Sequence, residues 1–342
     1  MPSKKNDARH LKEYNVNLVT NSLMEMKTAT RGQLAKKTGL SQPTVNSIVQ
    51  ELESRGVVSP GGFAAAAGGR RPLCYTLRTD HLRAATIRVL PQSLEYSVLT
   101  VDGSVIFRNS WVLAEDETHL NGLRALLKTL LKQDSDIRVV SVGVPGVVGP
   151  GGVLYAIPQI PSLEGVALNH VLTKQFALPV YVENDMNLVA LGSVVAGAGQ
   201  TLFDMVFVHI GQGVGAGIVM GGQIIRGFSS FAGEIAYMVK PLGDNRDGET
   251  LEYLLAQTDS ISEQARLITG MLVSIISLLN PPVISFGSTL ASEEMLLHLR
   301  HECEKHLPLW TLPTFQLMAD EAAAYDRGLL ALVHDVLAET QN

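Results

Sequence analysis

The stretch that decides the fold of the N-terminal part of the chain is residues 30–58, TRGQLAKKTGLSQPTVNSIVQELESRGVV. Thr30 is a residue type that caps helix N-termini, so a short helix is expected over residues 31–37. Gly39 can end this helix because glycine adopts left-handed dihedral angles at little cost. Upstream, residues 12–27 predict a first helix whose apolar face recurs at helical spacing. The residues of that face are Val16, Val19, Leu23 and Met26.

The residues after Gly39 predict a third helix with two different sides, and Ser41 is well placed to cap it. Its buried side is marked by apolar residues at i, i+3, i+4 and i+7, namely Val45, Ile48, Val49 and Leu52. Its other side carries short, uncharged hydrogen-bonding residues, namely Gln42, Thr44, Asn46, Ser47 and Gln50. Such side chains can hydrogen-bond to base edges in the major groove of DNA. The pattern therefore predicts a helix-turn-helix in which Ser41, Gln42, Thr44, Asn46 and Ser47 contact DNA.

Two short apolar runs, residues 56–58 and 75–77, predict the strands of a β-wing. The connecting residues, 61–72, are rich in glycine and alanine and end in Gly-Gly-Arg-Arg-Pro. Glycine lets the backbone lie close to a surface, and Arg70 and Arg71 are suited to a narrow, electronegative minor groove. A solvated surface loop is the alternative interpretation of these two arginines.

The charge distribution supports a polyanionic partner for this N-terminal part. Residues 1–78 contain twelve Lys/Arg and five Asp/Glu, a net charge of +7. The other residues contain 15 Lys/Arg and 28 Asp/Glu, a net charge of −13, which together give the overall −6. A basic part on an acidic chain suggests that the basic part meets a polyanion such as DNA.

The composition also indicates the cellular compartment in which the protein is expected. Two cysteines, Cys74 and Cys303, cannot form a disulfide framework, which favours a reducing compartment, and we expect a cytoplasmic protein. Residues 1–10 lack the apolar core of a secretory signal. The most apolar stretch, residues 261–279, contains Glu263 and Arg266, which argues against a membrane span.

From residue 80 onward, short strands alternate with helices, which predicts an α/β body. The expected strands are residues 85–90, 96–101, 105–109, 139–144, 180–182, 205–210, 217–220 and 283–286. The expected helices are residues 119–132, 168–176, 186–196, 251–256, 261–279, 292–305 and 322–337. We therefore divide the chain into a winged helix-turn-helix domain, residues 1–79, and an effector and dimerisation domain, residues 80–342.

Several stretches of this body resemble the ROK family, whose members are sugar kinases and, with an added winged helix, sugar-responsive transcriptional regulators. The matching stretches are GVPGVV (143–148), VENDMN (182–187), IGQGVGAGI (210–218), RG (226–227), AGEI (232–235) and NPP (280–282). The resemblance covers nearly the whole chain. It implies an actin-like ATPase (ribonuclease H-like) fold with two α/β lobes around a cleft.

Asn184 and Asp185 follow a strand and precede a helix, which is where α/β folds place ligand-binding groups. In the kinases that this chain resembles, the Asp at the position of Asp185 is the general base, and the Asn beside it binds a sugar hydroxyl. Simple capping of the next helix is the alternative. Residues 211–217 have alternating glycines, which are compatible with a phosphate-binding turn and equally with a bare β-hairpin.

Kinases of the family begin this domain with Asp-x-Gly-Gly-Thr, which organises Mg²⁺ and the ATP phosphates. An ungapped count places Arg88, Leu90, Pro91 and Gln92 on the Asp, Gly, Gly and Thr positions. Phosphoryl transfer depends on placement of the metal and the phosphates. Arg88 would put a positive charge where the cation must lie, and Pro91 lacks a backbone N–H. We therefore expect that the protein is not an enzyme and that it uses no cofactor.

A second departure concerns zinc. Family members often have Gly-Glu-Ile-Gly-His followed by a cysteine-rich loop, whereas this chain has GEIAY at 233–237 and neither Cys nor His in residues 240–250. We expect no bound metal, because zinc needs imidazole or thiolate ligands. The resemblance leaves a group of polar residues that are candidates for effector binding: Asn184, Asp185, Glu234, Tyr237 and Glu252. Taken alone, Glu234 and Glu252 could equally be ordinary surface or capping carboxylates.

These observations predict a transcriptional regulator of carbohydrate metabolism, with repression as the expected sign. Its expected partners are operator DNA, a sugar or sugar-derivative effector, and further copies of itself as a dimer or a dimer of dimers; no membrane is expected. A ROK sugar kinase that uses ATP is one alternative. A regulator that responds to a protein partner instead of a small molecule is the other.

Overall fold

The computed structural model provides the fold of most of the chain. It describes residues 15–16, 18–20, 22–23, 26–64, 71–78, 83–100, 104–195, 203–211, 213–238, 250–258, 260–287 and 292–339.

The N-terminal part is a helix-turn-helix followed by a two-stranded wing. The described residues between 15 and 26 are helical and form α1. The next elements are β1 (Ala29–Thr30), α2 (Arg31–Thr38), α3 (Gln42–Ser54), β2 (Val58–Phe63) and β3 (Leu73–Leu77). The three strands form one antiparallel sheet in the order β1-β3-β2. The predicted winged helix is confirmed, with one additional short strand, β1.

Local capping fixes the turn between α2 and α3. Thr30 Oγ1 accepts a hydrogen bond from the Gln33 backbone N–H at 3.2 Å, and Gln33 Oε1 accepts one from the Thr30 N–H at 2.8 Å. Gly39 ends α2 with a φ of 71°. Ser41 Oγ accepts a hydrogen bond from the Thr44 N–H at 3.3 Å. These contacts satisfy N–H groups that helix starts leave unpaired, so the sequence alone determines where each helix begins.

One apolar core joins the helices and the wing. Its buried residues are Val16, Val19, Leu23, Ala29, Leu34, Val45, Ile48, Val49, Leu52, Val57, Val58, Tyr75 and Leu77. Full burial of one aliphatic side chain of this size stabilises the fold by roughly 1.5–3 kcal/mol. Because the apolar side of α3 lies in this core, its polar side must face outward.

The rest of the chain begins with a mixed sheet, the first sheet. Its first four strands are β4 (Arg83–Val89), β5 (Ser93–Thr100), β6 (Val105–Val112) and β7 (Ile137–Val144), with α4 (His119–Gln133) between the last two. After the short hairpin β8 (Val147–Val148) and β9 (Leu154–Tyr155) and helix α5 (Leu168–Phe176), β10 (Val180–Asn184) completes the order β10-β7-β4-β5-β6. Strands β10, β7 and β4 are parallel, so their C-terminal ends meet at one edge.

A second mixed sheet follows α6 (Asp185–Val195). Its strands are β11 (Met205–Ile210), β12 (Val214–Met220), β13 (Gln223–Ile224), β14 (Val283–Gly287) and β15 (Thr314–Leu317), in the order β13-β12-β11-β14-β15. The helices of this half are α7 (Leu251–Leu255), α8 (Ile261–Leu279), α9 (Glu293–Glu304) and the final α10 (Glu321–Glu339). The two sheets, each covered by helices, form the predicted two-lobed α/β body.

Helix α10 connects the two sheets. It packs along α6 and also contacts β7 and β4 of the first sheet. Gly192 and Gly328 permit this close approach, because a Cβ at Gly192 would collide with the Ala324 carbonyl and one at Gly328 with the Leu188 carbonyl. The N-terminal ends of α6 and α10 are thereby placed between the sheets, beside the strand ends that carry the candidate site.

Helix α8 is, within the described residues, long and apolar enough to cross a membrane by length and composition. It has 19 residues, and half of its most apolar window is buried inside the protein. Its inward side packs in the core of the second sheet, where Leu267, Ile268, Leu272 and Ile276 are buried. This packing is that of a core helix.

Candidate functional site

The polar side of α3 is presented to solvent. Ser41, Gln42, Asn46 and Ser47 are exposed, and Thr44 is half-buried. Ser41 Oγ and Thr44 Oγ1 lie 2.8 Å apart, so these two hydroxyls hydrogen-bond to each other at the helix start. The side chains of Gln42, Asn46 and Ser47 therefore offer the readier hydrogen-bonding groups. That all five residues contact DNA stays a prediction.

The predicted wing is present, but its strands are Val58–Phe63 and Leu73–Leu77 rather than residues 56–58 and 75–77, and only part of its tip is described. Strands β2 and β3 pair antiparallel, and the pairing extends to a bond from the Ala64 N–H to the Pro72 carbonyl at 3.0 Å. Arg71 is exposed beside this pair. Arg70 lies outside the described residues, so its predicted role in the minor groove stays a prediction.

Asn184 lies at the end of β10, where the chain enters α6. Its Oδ1 accepts hydrogen bonds from the backbone N–H groups of Met186 at 2.9 Å and Asn187 at 3.1 Å. Its Nδ2 donates to the Gly146 carbonyl at 2.9 Å. The Oδ1 end thus stabilises the start of α6, as the capping interpretation expects, and the Nδ2 end ties it to the turn between β7 and β8. A ligand contact by Asn184 remains a prediction that is compatible with these bonds.

Asp185 is a half-buried carboxyl at the first position of α6. Burial raises its pKa from 3.8 to about 6. The Met186 N–H and the charges of His209 and Arg88 oppose this rise, while Glu321 adds to it. Asp185 is therefore a carboxyl that changes protonation near neutral pH, a property common in functional sites.

Asn184 and Glu234 line one small cleft between the two sheets. The residues that line it are Val147, Val148, Glu183, Asn184, Asn187, Ala216, Ser230, Ala232 and Glu234. Burial raises the pKa of Glu234, and the nearby charge of Asp185 raises it further. The structure therefore brings three of the five predicted effector residues, Asn184, Asp185 and Glu234, to one place.

An ion pair beside the cleft, between the buried Glu183 and the exposed Arg226, was not foreseen from the sequence. Glu183 is 3% exposed, and its Oε2 accepts a hydrogen bond from Arg226 Nε at 2.8 Å. Its Oε1 accepts another from Asn187 Nδ2 at 2.9 Å, and Asn187 Oδ1 is buried without a partner. Ser230, in the loop that begins at Arg226, has a φ of 61°. The pair holds this loop against the end of β10. The one feature of the sequence that could have indicated it is a Glu at the end of an apolar strand.

Tyr237 and Glu252 are placed differently from the other predicted effector residues. Tyr237 is 55% exposed, and its ring packs against that of Phe231 with the centroids 5.2 Å apart. Glu252 is exposed in the first turn of α7. Neither side chain lines the cleft described above. Their effector contacts remain predictions, and residues 239–249 between them lie outside the described residues.

Arg88 occupies the position where the family resemblance places the metal-organising Asp. It lies on β4 opposite Gly143 of β7, with its Cζ 4.6 Å from the centre of the Tyr325 ring. Leu90 uses its backbone N–H in the β4–β5 turn, donating to the Ser93 carbonyl at 2.9 Å, and Pro91 has none. The residues at this position therefore do not fit Mg²⁺ and nucleotide phosphates.

One of the alternating glycines of residues 211–217, Gly217, has a packing explanation. The segment joins β11 and β12 as an antiparallel hairpin. A Cβ at Gly217 would collide with the Met186 carbonyl at the start of α6. Glycine is thus required for α6 to lie against β12. The phosphate-binding and bare-hairpin interpretations of this segment both stay predictions.

The prediction of no bound zinc concerns residues 240–250, of which 240–249 lie outside the described residues. Among residues that are described, no group of three or more His, Cys, Asp and Glu side chains is arranged to bind a metal ion.

Comparison with protein families matches residues 22–59 to the winged helix-turn-helix DNA-binding family and residues 113–246 to the ROK family. The chain therefore carries an N-terminal winged helix-turn-helix followed by a ROK family domain. These matches include the predicted DNA-reading helix α3 and the predicted effector residues Asn184, Asp185, Glu234 and Tyr237.

Among relatives of known name, the xylose repressor of Caldicellulosiruptor bescii is 28% identical over 240 residues, which are 66% of this chain and 59% of the repressor. The chain thus spans less than two thirds of the length of the curated relatives it first matches. The crystal structure of a ROK family transcriptional regulator, a homologue of the Escherichia coli MLC protein, superposes with a TM-score of 0.75 at 18% identity, over 97% of this chain and 99% of that one.

Kinases share the fold of the body. The ROK hexokinase of Thermus thermophilus superposes with a TM-score of 0.61 at 20% identity, over 74% of this chain and 98% of the hexokinase. The predicted fold, a winged helix joined to an actin-like sugar-kinase body, is confirmed by these superpositions.

Proposed function

We propose that this protein is a sugar-responsive, DNA-binding transcriptional regulator that represses its target genes. The observation that carries the proposal is the exposed, uncharged polar side of α3, presented by a winged helix that is joined to a sugar-kinase fold. The name of the xylose repressor supports the same function. The basic N-terminal residues suit binding to the phosphate backbone, which supplies much of the affinity for DNA.

We propose that the two parts of the chain on either side of residue 79 have different functions. Residues 1–79 would bind DNA, and residues 80–342 would bind the effector and pair with a second copy. Two winged helices related by a two-fold axis would match a palindromic operator, with α3 in the major groove and the wing in the minor groove. Pairing of two dimers is compatible with the same arrangement.

Regulation requires that the effector prefer one of two lobe arrangements. The cleft lies between the first and second sheets, and Asn184, Asp185 and Glu234 approach it from both. A sugar bound there would favour one relative position of the sheets and thereby one spacing of the paired winged helices. Because α10 contacts both sheets, we propose that it transmits such a movement from one sheet to the other.

The body is proposed to bind its sugar without phosphorylating it. The named repressor relative supports a regulator that is not an enzyme, while kinases share the fold. Arg88 and Pro91 stand where a kinase needs a metal-organising carboxylate and a backbone donor. The ATP-dependent kinase therefore remains the second candidate, supported by fold alone, and a regulator controlled by a protein partner is the third. We expect the protein to act in the cytoplasm.

The test is selection of binding sites from a random double-stranded DNA pool by the full chain, followed by anisotropy measurements on the enriched sequence. The proposal expects an enriched palindrome, nanomolar-range binding of about 10⁻⁸ M or tighter, and weaker binding when one sugar of a panel is added. Enrichment of no sequence would contradict the DNA-binding function. Steady hexose-dependent ATP turnover, lost in Asp185→Asn, would instead favour the kinase.

A further inference from the structure

Phe63 is an aromatic side chain that faces solvent in the N-terminal part of the chain. It is the last residue of β2 and is 65% exposed. Among the described residues up to Arg78, every other Phe, Tyr, Leu, Ile, Met and Val side chain is buried or half-buried. A single exposed apolar residue is common on a protein surface, so the surroundings of Phe63 decide whether it has a role.

A β-bulge sets the direction of the Phe63 side chain. Pro60 of β2 lies opposite Tyr75 of β3. Phe63, three residues on, lies opposite Leu73, two residues back, so β2 carries one extra residue here. Gly62 accommodates it with a φ of 99°, which favours glycine. Because side chains alternate along a strand, the extra residue places Phe63 on the same side of the sheet as Tyr75, which is the side that holds the core.

The wing holds this side chain in a paired strand beyond the edge of the core. Leu73, opposite Phe63, packs against the core of the winged helix. One residue further along β2, the Ala64 N–H donates to the Pro72 carbonyl at 3.0 Å, so the pairing continues past the aromatic ring. The phenyl group of Phe63 therefore extends the apolar side of the sheet into solvent from a backbone that hydrogen bonds hold in place.

The wing that carries Phe63 is basic. Residues 58–78, which are the two wing strands and their connection, contain three arginines and neither Asp nor Glu. Arg71 is exposed next to the pair formed by Ala64 and Pro72. A partner that fits this surface combines negative charge with apolar groups. The minor groove of DNA does so, because phosphates border it on both sides and stacked bases form its floor. An acidic protein surface would match the arginines alone.

We propose that Phe63 enters the minor groove of the operator as an apolar wedge, which opens one base step and bends the duplex. This inference rests on the proposed DNA-binding function and adds to it a residue that discriminates between sequences without hydrogen bonds to bases. Apolar side chains inserted between base pairs from the minor groove kink DNA by about 20–90°. Pyrimidine–purine steps, TA and CA/TG, unstack most readily, so the operator should carry one such step under each wing.

Resonance energy transfer between dyes at the two ends of the operator tests the proposal, with the full chain and the sequence that it enriches from a random DNA pool. The wild-type protein is expected to bend this duplex by about 20–90°. Replacing each flanking pyrimidine–purine step in turn by a purine–purine step should identify one whose loss weakens binding about 5–150-fold. Phe63→Ala should abolish both the bend and this step preference, whereas Phe63→Leu should retain part of each, because leucine also acts as a wedge.

Two controls separate the wedge from a general effect of removing a phenyl group. Phe228 is a fully exposed phenylalanine in the body of the chain. Phe228→Ala should therefore leave the bend and the step preference as in wild type. Thermal unfolding and light scattering of each variant verify that the fold and the oligomeric state are those of the wild-type protein.

The possible results distinguish this inference from the proposed function. A bound operator that stays straight, or a bend and step preference that survive Phe63→Ala, would overturn the inference and leave a DNA-binding regulator standing. Equal weakening of all sequences by Phe63→Ala would overturn it too. A change of oligomeric state in Phe63→Ala with unaltered DNA bending would assign the phenyl group to a contact with a second copy instead. Enrichment of no sequence would contradict DNA binding itself, and the inference would fall with it.

Discussion

At the scale of single residues, the ionised Asp185 carboxylate lowers the free energy of unfolding, because burial removes it from water. Its pKa is raised in the folded protein from 3.8 to about 6, so the folded state binds its proton more tightly than the unfolded state. For such a group, stability falls as pH rises from about 4 to beyond 6, because the buried carboxylate loses its proton. Residues of ligand-binding sites commonly lower the stability of the folded protein in this way.

Asp185→Asn should therefore stabilise the protein at pH 8 by about 1–2 kcal/mol, since it removes a desolvated charge. At pH 3 the advantage should vanish, because this pH lies below both pKa values and the wild-type carboxyl is then largely protonated in both states. Thermal unfolding at the two pH values measures the difference. A variant less stable than wild type at pH 8 would show that the carboxylate is satisfied in the folded protein.

The sequence pointed to some residues of the candidate site and missed others for a physical reason. Asn184 and Asp185 follow a strand within a recognisable motif, so their neighbourhood is encoded locally. The Glu183–Arg226 pair joins residues 43 positions apart, and the Arg88–Tyr325 contact joins strand β4 to the final helix. Contacts of this kind depend on how the sheets and α10 pack, which no local pattern specifies.

At the scale of elements, α3 carries the proposed sequence recognition. Asn46→Ala removes an exposed amide from the N-terminal half of the helix and should cost about 1–3 kcal/mol in binding to the preferred operator. Gln50→Ala, also exposed on α3 but one turn further on, is the matched control and should change binding less. Anisotropy with matched and single-base-altered operators measures both. Equal effects on all sequences would mean that Asn46 contacts only the backbone.

The close contact of α6 and α10 makes a second prediction at this scale. Gly192→Ala should destabilise the fold by about 1–3 kcal/mol, because its Cβ would press on the Ala324 carbonyl. Gly32→Ala is the control: a Cβ there meets its nearest atom, Gln42 Nε2, at 3.4 Å, and alanine favours helix α2. Urea unfolding compares the two variants. A Gly192→Ala protein as stable as Gly32→Ala would contradict the tight packing.

Element boundaries were predictable where a strong period or a cap defined them. Helices α5 and α8 begin and end at the predicted residues, Leu168–Phe176 and Ile261–Leu279. The four-residue edge strand β15, Thr314–Leu317, was not predicted. Its register depends on parallel pairing with β14, a tertiary contact, and four residues are too few to establish a period.

At the scale of the whole molecule, the proposed function needs two sites in one chain whose body shares its fold with kinases. In that proposal α3 of the winged helix binds DNA, and Asn184, Asp185 and Glu234 contact a sugar between the two sheets. Because free energies of binding are linked, a ligand that weakens DNA binding must itself bind less tightly to the DNA complex, by the same factor. This reciprocity is what distinguishes a regulator from a DNA-binding protein that merely also binds sugar.

The most direct measurement is therefore a closed linkage cycle on the full chain. Operator affinity is determined with and without the best-binding sugar of the panel, and sugar affinity with and without operator, all in the absence of ATP. A sugar-responsive, DNA-binding regulator should show the same factor in both directions, about 5–150-fold, and should lose it in Asp185→Ala. Operator affinity that does not change at saturating sugar would contradict the proposed sugar response.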